Sequence, residues 1–117
     1  MDKRVLIVDD HPVFRQSARR MLEAEGYEVV GEAGDGESAI EAVRSLRPGI
    51  VLLDVQLPGI DGFEVASRIT GADDAPLVVL TSSRDGSDFG PLVTRSGARG
   101  FVAKDELSGA AIEQMLG

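Results

Sequence analysis

Residues 5–14 read VLIVDDHPVF, and this stretch decides the fold. Its first four residues form a continuous apolar run, which predicts a strand buried on both faces, as in a parallel sheet. The run ends in two adjacent aspartates, Asp9 and Asp10, which repel each other unless a cation compensates them. Pro12 suits the first turn of a helix, where its missing N–H is not needed. The stretch therefore predicts a strand, a charged loop and a helix in immediate succession.

The composition is typical of one globular domain without disulfides. The 117 residues are 43% hydrophobic and 27% charged, and they contain no cysteine. The lack of cysteine excludes disulfides, thiol catalysis and Cys-ligated zinc, and it suits a cytoplasmic location. A net charge of −8 argues against direct binding of nucleic acid or an anionic membrane by this chain. No apolar run approaches the ~20 residues of a membrane span.

Strand and helix patterns alternate along the whole chain. The predicted strands are residues 5–8, 27–33, 49–54, 76–83 and 99–105, and the predicted helices are residues 12–25, 35–47, about 61–70, 88–97 and 106–117. This alternation predicts an α/β domain, a doubly wound parallel sheet with helices on both faces. Ligands of such sheets bind beyond the carboxyl ends of the strands.

The fourth helix carries two unfavourable residues, Gly90 and Pro91. Because proline is tolerated in a first turn but breaks a helix interior, we predict a short, late and loosely held helix that begins near Gly90. Amide exchange that is fast from Ser87 onward would follow from this.

Polar side chains lie at the carboxyl ends of four of the five predicted strands. Asp9 and Asp10 follow the first strand, Asp54 ends the third, Thr81 and Ser82 end the fourth, and Lys104 ends the fifth. Singly, each has an ordinary explanation as a cap, turn former or solvated group. Together at one sheet edge, three carboxylates and a lysine suit Mg²⁺ and a phosphoryl group. Asp54 is then the predicted nucleophile, with Lys104 and Thr81 stabilising the transferring group.

Four segments resemble the motif blocks of the receiver domain of two-component response regulators. They are VLIVDDHP at 5–12, LLDVQLPGIDG at 52–62, VVLTSS at 78–83 and GFVAKD at 100–105. The resemblance covers essentially the whole chain and implies that residues 1–117 form one receiver domain. It also implies a flavodoxin-like three-layer sandwich whose five parallel strands have the order 2-1-3-4-5.

The resemblance implies a role for each residue of the motifs. Asp54 is the implied phosphoacceptor, and Lys104 and Thr81 contact the phosphoryl group. Mg²⁺, or Mn²⁺ in its place, is held by Asp9, Asp10, Asp54 and the backbone carbonyl of Gln56. Thr81 and Phe101 form the switch pair, and Gln56 and Ser83 tune the loss of the phosphoryl group. Phe101 lacks the hydroxyl of the tyrosine that many relatives carry, so only burial of its ring can report the switch.

The implied function is a cytoplasmic signalling switch that a sensor histidine kinase phosphorylates. Such a domain is not an enzyme with an external substrate, because it catalyses only its own phosphorylation and dephosphorylation. The DDHP and GARGFVAKD segments resemble the NarL-type subfamily, which forms homodimers and usually carries a C-terminal helix-turn-helix that binds DNA. No output domain lies within these residues, so the chain is either a truncated transcription regulator, which the subfamily favours, or a stand-alone receiver.

Two other classes of protein remain open alternatives. A Mg²⁺-dependent phosphohydrolase with an aspartate nucleophile needs a carboxylate two residues later, where this chain has Gln56. A phosphorylation-independent interaction module would be expected to lack an acidic residue or Lys104. A phosphohistidine or metal role for the lone histidine, His11, has no support from a second histidine or cysteine, so His11 is interpreted as a loop residue beside the acidic pocket that marks the subfamily. Repulsion between the aspartates predicts that Asp9→Asn or Asp10→Asn stabilises the metal-free fold.

Overall fold

The computed structural model describes residues 2–83 and 89–116. Within these ranges the chain forms one parallel sheet of five strands in the order β2-β1-β3-β4-β5, as predicted. The strands are β1 (Arg4–Val8), β2 (Glu28–Ala33), β3 (Ile50–Asp54), β4 (Leu77–Ser82) and β5 (Gly100–Ala103), and the helices are α1 (Pro12–Ala24), α2 (Gly36–Leu46), α3 (Gly62–Thr70), α4 (Gly90–Arg95) and α5 (Gly109–Leu116). None of these helices is both long and apolar enough to cross a lipid bilayer.

An apolar layer covers each face of the sheet. On one face, α1 and α5 pack Leu22 and Ile112 against alternate residues of the central strands. On the other face, α2 and α3 contribute Ala39 and Val65 to a second cluster. The central strands have helices on both sides, which explains why their sequences are continuous apolar runs rather than alternating ones.

Local capping signals set the helix starts. Pro12 is the first residue of α1, as predicted. Asp35 caps α2 by accepting a hydrogen bond from the Ser38 N–H at 2.8 Å, and Asp61 caps α3 in the same way. The first turns of these helices are therefore encoded by neighbouring residues.

The fourth helix is short and late, as the sequence predicts. It begins at Gly90 and has six residues, and no side chain of the described residues caps its first turn. Ser87 lies outside the described residues, so the predicted exchange behaviour and the loose attachment of this helix stay predictions.

The C-terminal boundaries differ from the prediction. β5 ends at Ala103, and Lys104 belongs to a short 3₁₀ turn that ends at Glu106. The predicted start of the last helix at Glu106 is wrong, because α5 starts at Gly109. The hydroxyl of the preceding residue, Ser108, accepts a hydrogen bond from the Ala111 N–H at 3.0 Å. A local cap therefore places this start later than the apolar periodicity suggests. The turn places Lys104 beyond the sheet edge.

The strand order places the carboxyl ends of β1 and β3 side by side. Connections leave the two strands in opposite directions along the sheet, toward β2 and β4, which opens a crevice at this edge. Gly62, the first residue of α3, lies next to the end of β3 at this crevice. Its N–H donates to the Val55 carbonyl at 2.9 Å, and a Cβ there would collide with the Asp54 carbonyl oxygen. Only glycine lets α3 start this close to the end of β3.

Candidate functional site

Three of the predicted site residues converge on one buried ion pair network. Lys104 Nζ lies 2.6 Å from Asp9 Oδ2 and 3.2 Å from Asp54 Oδ2. The side chains of Asp9 and Asp54 are 0% and 3% exposed, and that of Lys104 is 17% exposed. Two carboxylates and one ammonium are thus held together at the switch point of the sheet.

The protonation of this network reflects competing effects. Burial raises the pKa of the Asp54 carboxyl, and the charge of Asp9 acts in the same direction. The Gln56 N–H, 3.0 Å from Asp54 Oδ1, and the Lys104 ammonium oppose this rise without cancelling it. Burial alone would lower the pKa of Lys104, but Asp9 and Asp54 outweigh it, so that this pKa is raised. Lys104 therefore remains a cation at neutral pH.

Asp9 is positioned by contacts to its backbone and its carboxylate. Arg15 donates to the Asp9 carbonyl oxygen, and Glu32 in turn accepts from Arg15 and Arg19 at 2.9 Å each. The His11 N–H donates to Asp9 Oδ1 at 2.8 Å. Apart from its ion pair with Lys104, Asp9 Oδ2 accepts no hydrogen bond from the described residues. This oxygen has lone pairs to offer to a further cation.

Asp10 differs from Asp9 in its exposure. Its side chain is 37% exposed, and the His11 ring nitrogen Nδ1 lies 3.1 Å from its Oδ1. The same nitrogen lies 3.1 Å from Asp9 Oδ1. The imidazole therefore lies between the two adjacent carboxylates, beside the acidic pocket as the sequence interpretation placed it.

Thr81 brings a hydroxyl to the same edge. It pairs with Asp54 in the register of β4 and β3, and it is 1% exposed. Its Oγ1 has no hydrogen-bond partner among the described residues. Since a buried polar atom without a partner is costly, this hydroxyl is available for a group that enters the crevice.

The other predicted positions lie around this centre. Gln56 and Ser83 are exposed at its rim. Phe101 is half-buried, and its ring centroid lies 5.8 Å from that of Phe89, which precedes α4. Phe89 also lies 5.5 Å from Phe63 of α3. A chain of three rings thus connects β5 to α3 through the start of α4.

Sequence reasoning missed one contact of Lys104. Its Nζ lies 4.4 Å from the ring centroid of Phe14, within range of a cation–π interaction. Phe14 follows the Asp9–Asp10 pair closely in the chain, but its helical spacing indicated only packing. No local signal pairs this ring with a lysine after β5, because the contact depends on the sheet order.

The donor set suits a hard divalent cation. Ligand atoms of Asp9, Asp10, His11 and Asp54 all lie within 4.8 Å of one another. Three carboxylates against the single charge of Lys104 leave an excess of negative charge that one divalent cation would balance. Carboxylate oxygens with room for water are the ligands that Mg²⁺ prefers. The residues present therefore fit the acidic metal pocket of receiver domains.

Fold and site together define a doubly wound α/β domain with a buried cluster of carboxylates and one lysine at the switch point of its sheet. The sequence profile of the response regulator receiver domain matches residues 5–116, and the chain belongs to this family. It is 39% identical over 106 residues to the virulence transcription regulator BvgA of Bordetella pertussis, an alignment that covers 91% of this chain and 51% of BvgA. The chain spans about half the length of curated relatives that it matches.

Solved structures give the same result. The receiver domain of NarL from Mycobacterium tuberculosis superposes with a TM-score of 0.88 and 36% identity, covering 99% of this chain and 98% of that one. A CheX–CheY complex with BeF3 and Mg²⁺ from Borrelia burgdorferi matches with a TM-score of 0.84 and 28% identity, covering 97% and 85%. The predicted resemblance to NarL-type receivers is confirmed.

Proposed function

We propose that this receiver domain is a phosphorylation switch in which Asp54 accepts a phosphoryl group from a phosphohistidine of a sensor histidine kinase. A carboxylate oxygen of Asp54 forms the bond to phosphorus as the phosphorus–nitrogen bond breaks, and the imidazole leaves with the electron pair. The observation that carries the proposal is Lys104 Nζ, which contacts the buried carboxylates of Asp9 and Asp54 at once. The domain turns over no other substrate.

Each residue of the site has a distinct task in this proposal. The Gln56 N–H holds Asp54 Oδ1 and so orients the other carboxylate oxygen. The Lys104 ammonium neutralises phosphoryl oxygens in a buried setting, where its charge is effective. Asp9, Asp10, Asp54 and the Gln56 carbonyl would hold Mg²⁺ or Mn²⁺, which supplies positive charge against the developing charge of the phosphoryl group. The Mg²⁺ present in the matched CheX–CheY complex supports this choice.

The switch uses the unpaired Thr81 hydroxyl. A phosphoryl group on Asp54 offers strong acceptors beside this buried donor. Movement of Thr81 toward them leaves space on the side of β5, and the half-buried Phe101 ring turns inward to fill it. Because Phe101 touches Phe89 at the start of α4, this movement alters the surface of α4 and β5. Exposed Gln56 and Ser83 control access of water to the phosphoryl group and so its lifetime.

The proposed output is transcription. BvgA is by name a transcription regulator. In the proposed regulator a separate DNA-binding domain contacts DNA, and the acidic receiver does not. Phosphorylation would then favour homodimers through receiver surfaces. A stand-alone receiver that controls partners by protein contact is the alternative.

A direct test uses a small acyl phosphate donor with Mg²⁺ and intact mass spectrometry. The wild-type chain should gain one phosphoryl group, which alkali should remove, and chelation of Mg²⁺ should prevent the gain. Asp54→Ala should gain none. Asp73→Ala is the matched control, since Asp73 is an exposed carboxylate between α3 and β4 at the opposite sheet edge. Labelling of a folded Asp54→Ala variant would refute the assignment.

A further inference from the structure

His11 contacts both aspartates that follow β1. Its Nδ1 lies 3.1 Å from Asp9 Oδ1 and 3.1 Å from Asp10 Oδ1, while its backbone N–H holds Asp9 Oδ1 at 2.8 Å. Ligand atoms of His11, Asp9, Asp10 and Asp54 fall within 4.8 Å of one another. The loop therefore adds one nitrogen donor to a cluster of carboxylates.

The spacing of these atoms matches that of metal ligands. Adjacent ligand atoms of an octahedral ion with bonds of about 2.1 Å lie about 3.0 Å apart, and both separations of Nδ1 are close to this value. Ionised carboxylates accept hydrogen bonds but cannot donate them, so Nδ1 carries the ring hydrogen when it contacts the two aspartates. The side chain is 68% exposed, so water can stabilise the other tautomer, in which Nδ1 presents its lone pair to the cluster.

We propose that His11 Nδ1 is a further protein ligand for borderline transition-metal ions at this site. Imidazole suits ions such as Co²⁺ and Ni²⁺, whereas Mg²⁺ prefers oxygen. The same pocket would then bind Mg²⁺ through oxygen atoms alone and Co²⁺ through one nitrogen and the carboxylates. The inference rests on the metal site of the proposed function and assigns His11 a role in the choice of metal.

Because His11 is the only histidine of the chain, one spectroscopic signal decides the matter. The tag-free protein is titrated with Co²⁺, and its proton NMR spectrum is examined for a hyperfine-shifted, non-exchangeable imidazole C–H resonance. We expect one such resonance in the wild type and none in His11→Ala. Calorimetric titrations should show that His11→Ala weakens Co²⁺ binding by at least about tenfold, the lower end of losses seen even for residues that only support metal ligands. Mg²⁺ affinity should change much less.

Asp10→Asn is the control, because it removes a carboxylate oxygen that both ions use and should weaken both. A wild-type Co²⁺ complex without the resonance would overturn the proposal. Equal losses of Co²⁺ and Mg²⁺ affinity in His11→Ala would also overturn it, since His11 would then only position the carboxylates. Failure of the wild type to bind Mg²⁺ would count against the metal site of the proposed function, whereas the Co²⁺ resonance and the selective loss of Co²⁺ affinity in His11→Ala decide the role of His11.

Discussion

Lys104 Nζ lies closer to Asp9 Oδ2, at 2.6 Å, than to Asp54 Oδ2, at 3.2 Å. β1 and β5 are not neighbours in the sheet, because β3 and β4 lie between them. The lysine side chain therefore extends across the carboxyl ends of the intervening strands and joins the first strand to the last. The geometry of the site therefore depends on the correct order of the strands from β1 to β5.

Phe14 is expected to stabilise Lys104 in this position. Phe14→Leu keeps an apolar side chain of similar burial but removes the ring face that lies 4.4 Å from Nζ. A double-mutant cycle with Lys104→Met, measured by urea unfolding without Mg²⁺, should give a coupling energy of about 0.5 to 2 kcal/mol. Phe14→Tyr retains the ring and should retain the coupling. A coupling energy near zero would show that the ring only fills space.

Gly62→Ala should destabilise the domain by about 1 to 3 kcal/mol, the usual cost of overpacking. The added Cβ would lie 2.6 Å from the Val55 Cα and would collide with the Asp54 carbonyl oxygen. Since the clash is with backbone, relief requires α3 to move away from the end of β3. Urea unfolding measures the loss.

Gly71→Ala is the matched control for this substitution. Gly71 lies at the other end of α3 with φ of −77°, and a Cβ there would meet only the Ser67 carbonyl oxygen at 3.7 Å. The substitution should stabilise the fold by about 0.4 to 1 kcal/mol through the unfolded state. Equal effects at the two glycines would contradict the argument.

Repulsion between the carboxylates predicts that Asp10→Asn stabilises the metal-free fold. The structure distinguishes the two aspartates that the sequence treats alike, because Asp9 is buried and has an ion pair with Lys104 whereas Asp10 is 37% exposed. We expect a gain of about 0.5 to 1 kcal/mol for Asp10→Asn at low ionic strength, and a smaller gain for Asp9→Asn.

Mg²⁺ should make the wild type more stable than Asp10→Asn, which reverses their order in the metal-free state. Mg²⁺ binds only the native state, so it should stabilise the wild type more than Asp10→Asn as its concentration rises. Thermal unfolding over a series of Mg²⁺ concentrations, with Asp73→Asn as the exposed control, tests this. A wild type that stays less stable than Asp10→Asn at every Mg²⁺ concentration would argue against a cation between these carboxylates.

The ion pairs of Glu32 with Arg15 and Arg19 should make the free energy of unfolding depend on pH. Burial acts to raise the pKa of Glu32, but Arg19 and Arg15 outweigh it and hold the pKa below the ordinary value of 4.5. A carboxylate with a lowered folded pKa contributes stability above its unfolded pKa and loses it as pH falls through the folded value. Glu32→Gln should therefore cost up to about 1 kcal/mol near pH 7, since the site is partly exposed.

This cost should fade as pH drops below about 4.5, the unfolded value. Urea unfolding at several pH values, with Glu41→Gln as the control, measures it. Glu41 is 72% exposed and lies 3.9 Å from Arg44, so its substitution should have little effect. A difference between wild type and Glu32→Gln that persists unchanged at low pH would refute the role of the two arginines.

Much of the fold could be predicted because its signals are local. Apolar runs and helical periodicity are written in adjacent residues, and parallel strands place their carboxyl ends at one edge. That is why Asp54 and Lys104 could be assigned to one site before any coordinates. The start of α5 was wrong by three residues, because a hydroxyl cap at Ser108 outweighs a continuous apolar pattern. The strand order came from family resemblance.

The sequence by itself determined the alternation of strands and helices, the short fourth helix and the gathering of carboxylates at the strand ends. Only the tertiary structure decided which charge meets which: that Lys104 binds Asp9 most closely, that Phe14 covers its ammonium, and that His11 turns onto the aspartates. The physical reason is that periodicity depends on neighbouring residues, whereas an ion pair or a ring contact depends on side-chain direction and on which strands become neighbours. Asp9 and Asp10 after β1 indicated a functional site in the sequence, and the packing of distant elements determined which residues these aspartates contact.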